Sequence, residues 1–249
     1  MARNTCFWRV WSNNCPIIAT IVLVLALDTA SASGSIAVLR GEKVIGVVAT
    51  TTDETYSSRM FRQLEFLLAE LKLRLDEFEL FAVNSGPGSF TGLRVGLTAA
   101  KGWAEVCGKP VVGVSGLEAV AAQSRASGTL VPVLDARRGQ VYFGFYRHEG
   151  RRVVREGEDR VGTPEEFFAA AKERSSPGVI VYTDLEIVAK VMELAGVDGL
   201  HVEEVSPMLA PVIGRIAIER AERGETADAL TLDANYVRRS DAELFWKGP

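Results

Sequence analysis

The sequence predicts an α/β protein made of two similar lobes, each a mixed sheet flanked by helices. Two observations support this fold class. From residue 21, the apolar runs and turn residues follow the order βββαβαβα, which is typical of a mixed sheet with helices packed on it. Near residue 130 the βββα part of this order recurs in a weaker form. In both halves the first strand ends at an aspartate, Asp28 or Asp135, and a hairpin follows.

These repeats predict the domain organisation. We expect a first lobe at 21–117 and a second, reduced lobe at 118–240, with a last helix at 207–224 that packs back on the first lobe. Residues 1–20 form an extension outside the fold. A chain of 249 residues is long enough for a sizeable core in either arrangement.

The extreme N-terminus allows two interpretations. Arg3 and Arg9 precede the apolar run at 16–27, and Ala30-Ser31-Ala32 follows, which is the pattern of a secretory signal peptide. Alternatively, 21–27 is the first strand of a parallel core, where both faces of a strand are apolar. We favour the strand, because cleavage would remove an element that the rest of the sheet needs. The expected location is then the cytoplasm.

Composition excludes several classes of function. The chain is 47% apolar and 24% charged, with a net charge of −4, and its basic residues occur as isolated pairs rather than as a stripe. Autonomous tight binding to nucleic acid is therefore not expected. Cys6, Cys15 and Cys107 show no metal-type spacing, and His148 and His201 are far apart, so no metal site is predicted.

The first lobe begins with a predicted meander of strands at 21–28, 34–40 and 43–50. A helix follows at about 57–72, because apolar residues recur at helical spacing on one face; they are Met60, Leu64, Leu67, Leu68 and Leu71. Phe66 and Leu73 project from the opposite side. The remaining elements of this lobe are a strand at 79–84, a helix at 91–107, a strand at 110–114 and a helix near 116–126.

The turn Gly86-Pro87-Gly88 lies between the strand at 79–84 and the helix at 91–107. Such a glycine-rich turn can aim backbone N–H groups at a phosphate, and Ser89 or Thr91 can cap the helix. The alternative is a tight turn whose backbone needs positive φ. The motif is not a Walker A loop, since no Lys-Ser or Lys-Thr follows Gly92.

Small residues form a ridge along the helix at 91–107. Gly92, Gly96, Ala100 and Ala104 recur every four residues and therefore lie on one face. Glycine inside a helix costs about 1 kcal/mol relative to alanine, so this ridge predicts close packing by another backbone. That neighbour lies either in the same domain or in another chain.

The second lobe is predicted from weaker signals. Strands are expected at 130–134, 140–146, 152–156 and 178–183, and a helix at about 184–195. Thr163-Pro164-Glu165-Glu166 predicts a helix start, with Thr163 as N-cap and Glu166 closing a capping box. The final long helix is expected to open at Ser206-Pro207 and to bury Leu209, Val212, Ile213 and Ile216.

Together these segments resemble a known family. The chain is similar to the TsaB (also called YeaZ) family, bacterial proteins of the pathway that installs threonylcarbamoyladenosine in tRNA. The matching blocks are Leu25-Ala26-Leu27-Asp28-Thr29, the highly specific stretch from Gly86 to Gly96, Val112-Gly113-Val114-Ser115-Gly116-Leu117, the stretch from Asp135 to Tyr142, and Tyr236-Val237-Arg238-Arg239. They cover about 22–240 in the expected order.

The resemblance implies the two-lobed fold of actin, Hsp70 and sugar kinases, with strand-end aspartates facing an interlobe nucleotide cleft. The candidate nucleotide-binding residues are Asp28, Gly86, Gly88, Ser89 and Asp135, with ATP or ADP and magnesium as the possible cofactors. The resemblance also implies similarity to TsaD, the catalytic relative, which holds a metal through a histidine pair. Here the corresponding segment is Tyr56-Ser57-Ser58-Arg59-Met60 and contains no histidine.

The leading hypothesis is therefore a non-catalytic cytoplasmic scaffold. The resemblance implies a TsaD-like catalytic subunit and a TsaE-like ATPase as partners, a homodimer when alone, only indirect contact with tRNA, and no membrane. The expected partner interface comprises Tyr56, Met60, Gln63, Phe66, Gly92, Gly96, Ala100 and Ala104.

The alternative hypothesis is an ATP/Mg-dependent enzyme of the same fold that uses Asp28 and Asp135, unless both aspartates merely cap their turns. A secreted glycoprotease, an old label of this superfamily, is not supported by any nucleophile–base pair or zinc motif.

Overall fold

The computed structural model describes residues 22–31, 33–52, 54–174, 178–186, 189 and 201–238. The predicted extension at 1–20, most of the helix predicted at 184–195, and Arg239 lie outside the described residues.

The first sheet is mixed. Its strands are β1 (Leu23–Asp28), β2 (Ser35–Arg40), β3 (Lys43–Ala49), β4 (Leu80–Gly86) and β5 (Val111–Ser115), in the spatial order β3-β2-β1-β4-β5. The β1–β2 and β2–β3 pairs are antiparallel, whereas β1–β4 and β4–β5 are parallel. All six residues of β1 are buried at the centre of the sheet. The interpretation of this segment as a core strand is confirmed.

Helices cover both faces of the first sheet. One face carries α1 (Tyr56–Leu71) and α2 (Phe90–Cys107), and the other carries α5 (Ala210–Glu222). Because side chains alternate along a strand, Leu25 and Leu27 of β1 pack towards α1 and α2, while Val24 and Ala26 pack towards α5. Helix α3 (Gly116–Ala121) follows β5.

Helix α5 begins later than the sequence predicts. Ser206 accepts a hydrogen bond from the Met208 amide in a separate turn (3.2 Å), and the first helical turn instead contains Pro211. Proline is favoured there because the amide it lacks has no helical partner in any case. The predicted opening at Ser206-Pro207 is therefore wrong by about one turn.

The second sheet contains seven strands among the described residues. They are β6 (Thr129–Asp135), β7 (Val141–Phe143), β8 (Tyr146–Glu149), β9 (Arg152–Arg155), β10 (Arg160–Gly162), β11 (Val179–Tyr182) and β12 (His201–Glu204). The main path runs β10-β7-β6-β11-β12, and β8 pairs with β6 and β9. Helix α4 (Pro164–Lys172) starts with the predicted capping box of Thr163 and Glu166, which is confirmed.

The second sheet also differs from prediction in two respects. The single strand expected at 140–146 is interrupted at Gly144, where a β-carbon would lie 2.6 Å from Asp159 Oδ1. Strands β10 and β12 were not predicted, because they are only three and four residues long and carry charged residues. The predicted fold class, an α/β fold with two mixed sheets flanked by helices, is confirmed. Among the described residues, no helix has the length and hydropathy to cross a bilayer.

Candidate functional site

A cleft of about 1300 Å³ lies between the two lobes. Its walls come from the ends of β1 and β6, the glycine-rich turn and the start of α2, and the C-terminal segment at 235–238. The carboxyl ends of parallel strands and the turns after them commonly form ligand sites in α/β proteins. This cleft therefore brings together the strand-end aspartates that the sequence analysis singled out.

Asp28 lies at the bottom of the cleft and is fully buried. Its Oδ1 accepts hydrogen bonds from the Ala30 amide (3.0 Å) and from Asn84 Nδ2 (2.9 Å). Its Oδ2 is buried and has no hydrogen-bond partner among the described residues. Burial raises the pKa of this carboxyl from 3.8 to about 6, although the hydrogen bonds from Ala30 and Asn84 oppose the shift.

Asn84 fixes the position of this carboxyl. The side chain is 1% exposed; its Nδ2 donates to Asp28, and its Oδ1 accepts from the Gly86 amide (2.9 Å). Gly116 makes room for it, since a β-carbon there would lie 3.0 Å from Asn84 Nδ2. The sequence analysis missed Asn84, although a polar residue at the end of an apolar strand was the available signal.

Asp135 occupies the corresponding position in the second lobe but is exposed. Its Oδ1 accepts from the Arg137 amide (2.7 Å), just as Asp28 accepts from the amide two residues further on. Both aspartates thus form Asx turns that start their hairpins. Each aspartate therefore caps its turn with one carboxylate oxygen.

The glycine-rich turn directs its amides into the fold. The Gly86 amide donates to Asn84 Oδ1, the Ser89 amide to Ala30 O (2.8 Å) and the Gly92 amide to Ser89 Oγ (3.3 Å). Gly86 has φ +117°, and a β-carbon on Gly88 would lie 2.7 Å from Ala30 O. The amides of Gly86 and Ser89 are therefore committed to internal contacts, in contrast to the predicted phosphate contacts.

The hydrogen bonds of these residues give no support for a bound Mg–nucleotide. One carboxylate oxygen of Asp28 and one of Asp135 accept turn hydrogen bonds, and the amides of Gly86, Ser89 and Gly92 donate within the fold. Among the described residues, no three histidine, cysteine or acidic side chains are grouped as for a metal ion.

The small-residue ridge of α2 packs inside the chain. Gly92, Gly96, Ala100 and Ala104 are all buried, and a β-carbon on Gly92 would lie 2.1 Å from Thr29 O. Likewise, a β-carbon on Gly96 would lie 2.3 Å from Thr29 Oγ1, and that hydroxyl donates to Gly92 O (2.7 Å). The prediction that this ridge contacts another chain is wrong, because the close neighbour is the segment that follows β1.

Most of the expected α1 interface is also internal. Tyr56, Met60 and Gln63 are buried, and Gln63 Nε2 donates to Thr50 Oγ1 (2.8 Å). The Tyr56 hydroxyl is buried without a hydrogen-bond partner among the described residues, and burial raises its pKa. These side chains hold α1 on its own lobe, and their prediction as partner contacts is wrong. Phe66 alone of the α1 set is exposed, at 58%.

A different apolar surface lies outward on α1 and α2, and the sequence analysis missed it. We call it the α1–α2 face; its residues are Phe61, Val95, Ala99, Gly102, Trp103 and Val106. Phe61 is 59% exposed and Val106 85%, and Phe61 packs edge-on against Trp103, with ring centroids 6.4 Å apart. On α2, the spacing Val95, Ala99, Gly102, Val106 is four, three, four, which is the spacing of a helix-packing seam.

The C-terminal segment connects the two lobes. The Asn235 amide donates to Ser85 O in the first lobe (2.7 Å), and Asn235 Nδ2 donates to Asp159 Oδ2 in the second (3.3 Å). Three residues further along, Arg238 Nη1 donates to Ala136 O (3.2 Å). The segment at 235–238 therefore matters for the geometry of the cleft.

Comparisons with known proteins agree with this architecture. Residues 36–182 match the family model described as TsaD, tRNA N6-adenosine threonylcarbamoyltransferase. The tRNA threonylcarbamoyladenosine biosynthesis protein TsaB of Bacillus subtilis is 30% identical over 225 residues, which is 90% of this chain and 97% of that protein. TsaB of Escherichia coli is 26% identical over 228 residues, 90% of this chain and 96% of that protein. A Pseudomonas aeruginosa structure described as similar to peptidase YeaZ superposes with a TM-score of 0.73 at 22% identity, covering 88% of this chain and all of that one.

Proposed function

Because the chain belongs to the TsaB (YeaZ) family of tRNA threonylcarbamoyladenosine biosynthesis proteins, we propose that it is a non-catalytic partner of a TsaD-like transferase. The cleft chemistry supports this role. Its strand-end aspartates and the Gly86 amide stabilise the fold, and Tyr56 is buried; the resemblance places Tyr56 in the segment that carries the histidines in TsaD. We place the protein in the cytoplasm, where tRNA is modified.

The observation that carries the proposal is the α1–α2 face. Soluble proteins rarely expose contiguous apolar surface without a use for it. Phe61 of α1 and Val106 of α2 are exposed, and the half-buried Trp103 of α2 contacts the Phe61 ring. Gly102 adds a gap, since no atom lies within 4 Å of its β-carbon position. Such a notch allows the backbone of a partner helix to approach closely.

The proposed occupant of this face is a helix pair of the same fold. A TsaD-like subunit would present the equivalent helices, and a second copy of this chain would do so when the protein is alone. Both assemblies would form a bundle across the α1–α2 face and would therefore exclude each other. A TsaE-like ATPase would join the complex afterwards.

Val106→Glu tests the interface directly. The Val106 side chain is 85% exposed, so the substitution should leave the fold unchanged. In the complex the new carboxylate would be buried, which opposes association. We expect the variant to sediment as a monomer and to lose capture of the TsaD-like subunit, with an unchanged melting temperature.

Phe66→Glu is the matched control. Phe66 is as exposed as Phe61 but lies about 140° around α1 from it, at roughly 100° per residue. We expect its assembly to equal that of the wild type. If Phe66→Glu dissociates the complex and Val106→Glu does not, the contact lies on the other flank of α1.

The functional test is reconstitution of tRNA threonylcarbamoylation with purified components. Leaving out this chain should abolish turnover by the TsaD-like enzyme, and Val106→Glu should reproduce that loss. Threonylcarbamoylation or ATP turnover by this chain alone would contradict the non-catalytic role.

A further inference from the structure

An exposed aromatic pair lies at the mouth of the interlobe cleft. Phe90 at the start of α2 and Tyr236 of the C-terminal segment have ring centroids 5.3 Å apart and are 37% and 43% exposed. The guanidinium of Arg94 lies 3.8 Å from the Phe90 ring centroid, and its Nε donates to the Tyr236 hydroxyl (3.3 Å). The two rings are inclined to each other by 38° and, with the guanidinium, form an aromatic platform that lines the cleft.

Arginines of the second lobe and the C-terminal segment also line this mouth. Arg137 and Arg138 form the turn after β6, and Arg238 is joined to that turn by its bond to Ala136 O. The ion pair of Arg137 with Asp135 is long at 3.5 Å, and its side chains are 75% and 38% exposed, so it competes poorly with another anion.

The conformation of the arginine turn is unusual. Arg137 has φ +62° and Arg138 φ +57°, a left-handed conformation that favours glycine or asparagine. The Gln140 amide donates to Arg137 O (3.1 Å), so Arg138 and Gly139 are the central residues of the turn, and Arg138 occupies the position where asparagine is usual before glycine. Residues held in such a conformation cluster at binding sites. At these sites the side chain has a function, and the surrounding structure offsets the cost of the backbone conformation.

The C-terminal segment holds the two halves of the mouth together. Tyr236 belongs to the aromatic platform and Arg238 to the basic turn, and only Val237 separates them. The ring platform and the guanidinium groups therefore lie within a few residue lengths of each other. Rings that stack on bases and arginines that bind phosphates are the combination used by proteins that hold single-stranded RNA.

We propose that the cleft mouth binds an unpaired stretch of RNA, with a base stacked on Tyr236 and Phe90 and the adjacent phosphates on Arg137, Arg138 and Arg238. The inference rests on the proposed function only for the identity of the RNA, which would be the tRNA substrate. The contact would be direct, in contrast to the indirect contact expected from the sequence. Because the chain carries a net charge of −4, this contact adds to the RNA affinity of a partner protein and does not replace it.

The groups at the bottom of the cleft favour an RNA strand at its mouth over a free nucleotide inside it. Asp28 is an acid at the bottom, and the amides of Gly86, Ser89 and Gly92 already donate within the fold. A polyphosphate placed there would meet a carboxylate and could not use these three amides. At the mouth, an RNA strand that crosses the cleft can reach the exposed rings and guanidinium groups.

The test is fluorescence anisotropy of the purified full chain with a short fluorescein-labelled single-stranded RNA at low salt. Tyr236→Ala should weaken binding about tenfold, whereas Tyr236→Phe, which keeps the ring, should bind like the wild type. Arg137→Gln should reduce the slope of log K against log salt by about 0.7, as expected for the loss of one phosphate contact on a single strand.

Arg152→Gln is the matched control, because it removes the same charge from β9, outside the residues that line the cleft. Its affinity and salt slope should equal those of the wild type. Circular dichroism melting of each variant separates loss of binding from loss of folding.

Three results would overturn the proposal: no binding of the RNA at low salt, equal weakening by Arg152→Gln and Arg137→Gln, or complete displacement of the RNA by an equimolar amount of ATP. The last result would identify a mononucleotide site. Capture of the TsaD-like subunit, measured on the same variants, should be unaffected, so failure of RNA binding and failure of the scaffold role are distinguishable.

Discussion

The buried carboxyl of Asp28 makes stability depend on pH in a way that one substitution can isolate. In the unfolded chain this group has its ordinary pKa near 3.8, whereas in the folded protein burial raises the pKa to about 6. The folded state therefore binds the proton more tightly. The associated stability is fully present below pH 3.8 and is lost as the pH rises through about 6.

The magnitude follows from the pKa difference. At about 1.36 kcal/mol per unit, holding the ionised carboxylate in the fold costs about 3 kcal/mol above pH 7, and about 2 kcal/mol of this develops between roughly pH 4.5 and 7.5. Asp28→Asn removes the titration. Its Oδ1 can still accept from Ala30 and Asn84, while the new amide nitrogen takes the place of the unpartnered Oδ2. That buried donor costs about 1–3 kcal/mol at every pH.

The assay is urea unfolding of the wild type and Asp28→Asn at a series of pH values in this range. The free energy of unfolding of the variant should gain about 2 kcal/mol relative to the wild type as the pH rises from about 4.5 to 7.5. Asp135→Asn changes the corresponding turn of the second lobe, where the side chain is exposed, and controls for the turn hydrogen bond. A difference between wild type and Asp28→Asn that stays constant with pH would refute the reasoning.

Two further predictions concern packing at the lobe interior and at the lobe junction. Gly96→Ala should destabilise the fold by about 1–3 kcal/mol, because the added β-carbon would clash with Thr29. Gly102→Ala should stabilise the fold by about 0.5–1 kcal/mol, because that position is open and alanine favours the helix. Chemical denaturation that gives both variants the same stability would contradict the packing of the ridge within the chain. Tyr146→Phe should cost about 1–3 kcal/mol, since it removes the 2.8 Å hydrogen bond from the Tyr146 hydroxyl to the buried Asp159; an unchanged urea midpoint would mean that water replaces the donor.

The sequence by itself determined the order of elements and most of their types. Strand β1 and helices α1, α2 and α4 follow from local signals that act over a few residues: an unbroken apolar run, helical periodicity, a glycine C-cap and a capping box. It also determined that the α2 ridge must meet a backbone, because interior glycines are costly without close packing.

Only the tertiary structure decided which backbone the ridge meets and what remains exposed. The spacing of Gly92 and Gly96 is the same whether the neighbour is Thr29 or another chain, and the answer depends on a segment more than sixty residues away in sequence. The role of Asp28 could not be predicted from the sequence for the same reason. An aspartate at a strand end can be a ligand or a turn cap, and its burial and its bond to Asn84 arise only when β1 and β4 pair. The chemistry of a side chain is given by its residue type. Its exposure and its hydrogen-bond partners are properties of the folded chain, because they depend on which distant segments come into contact.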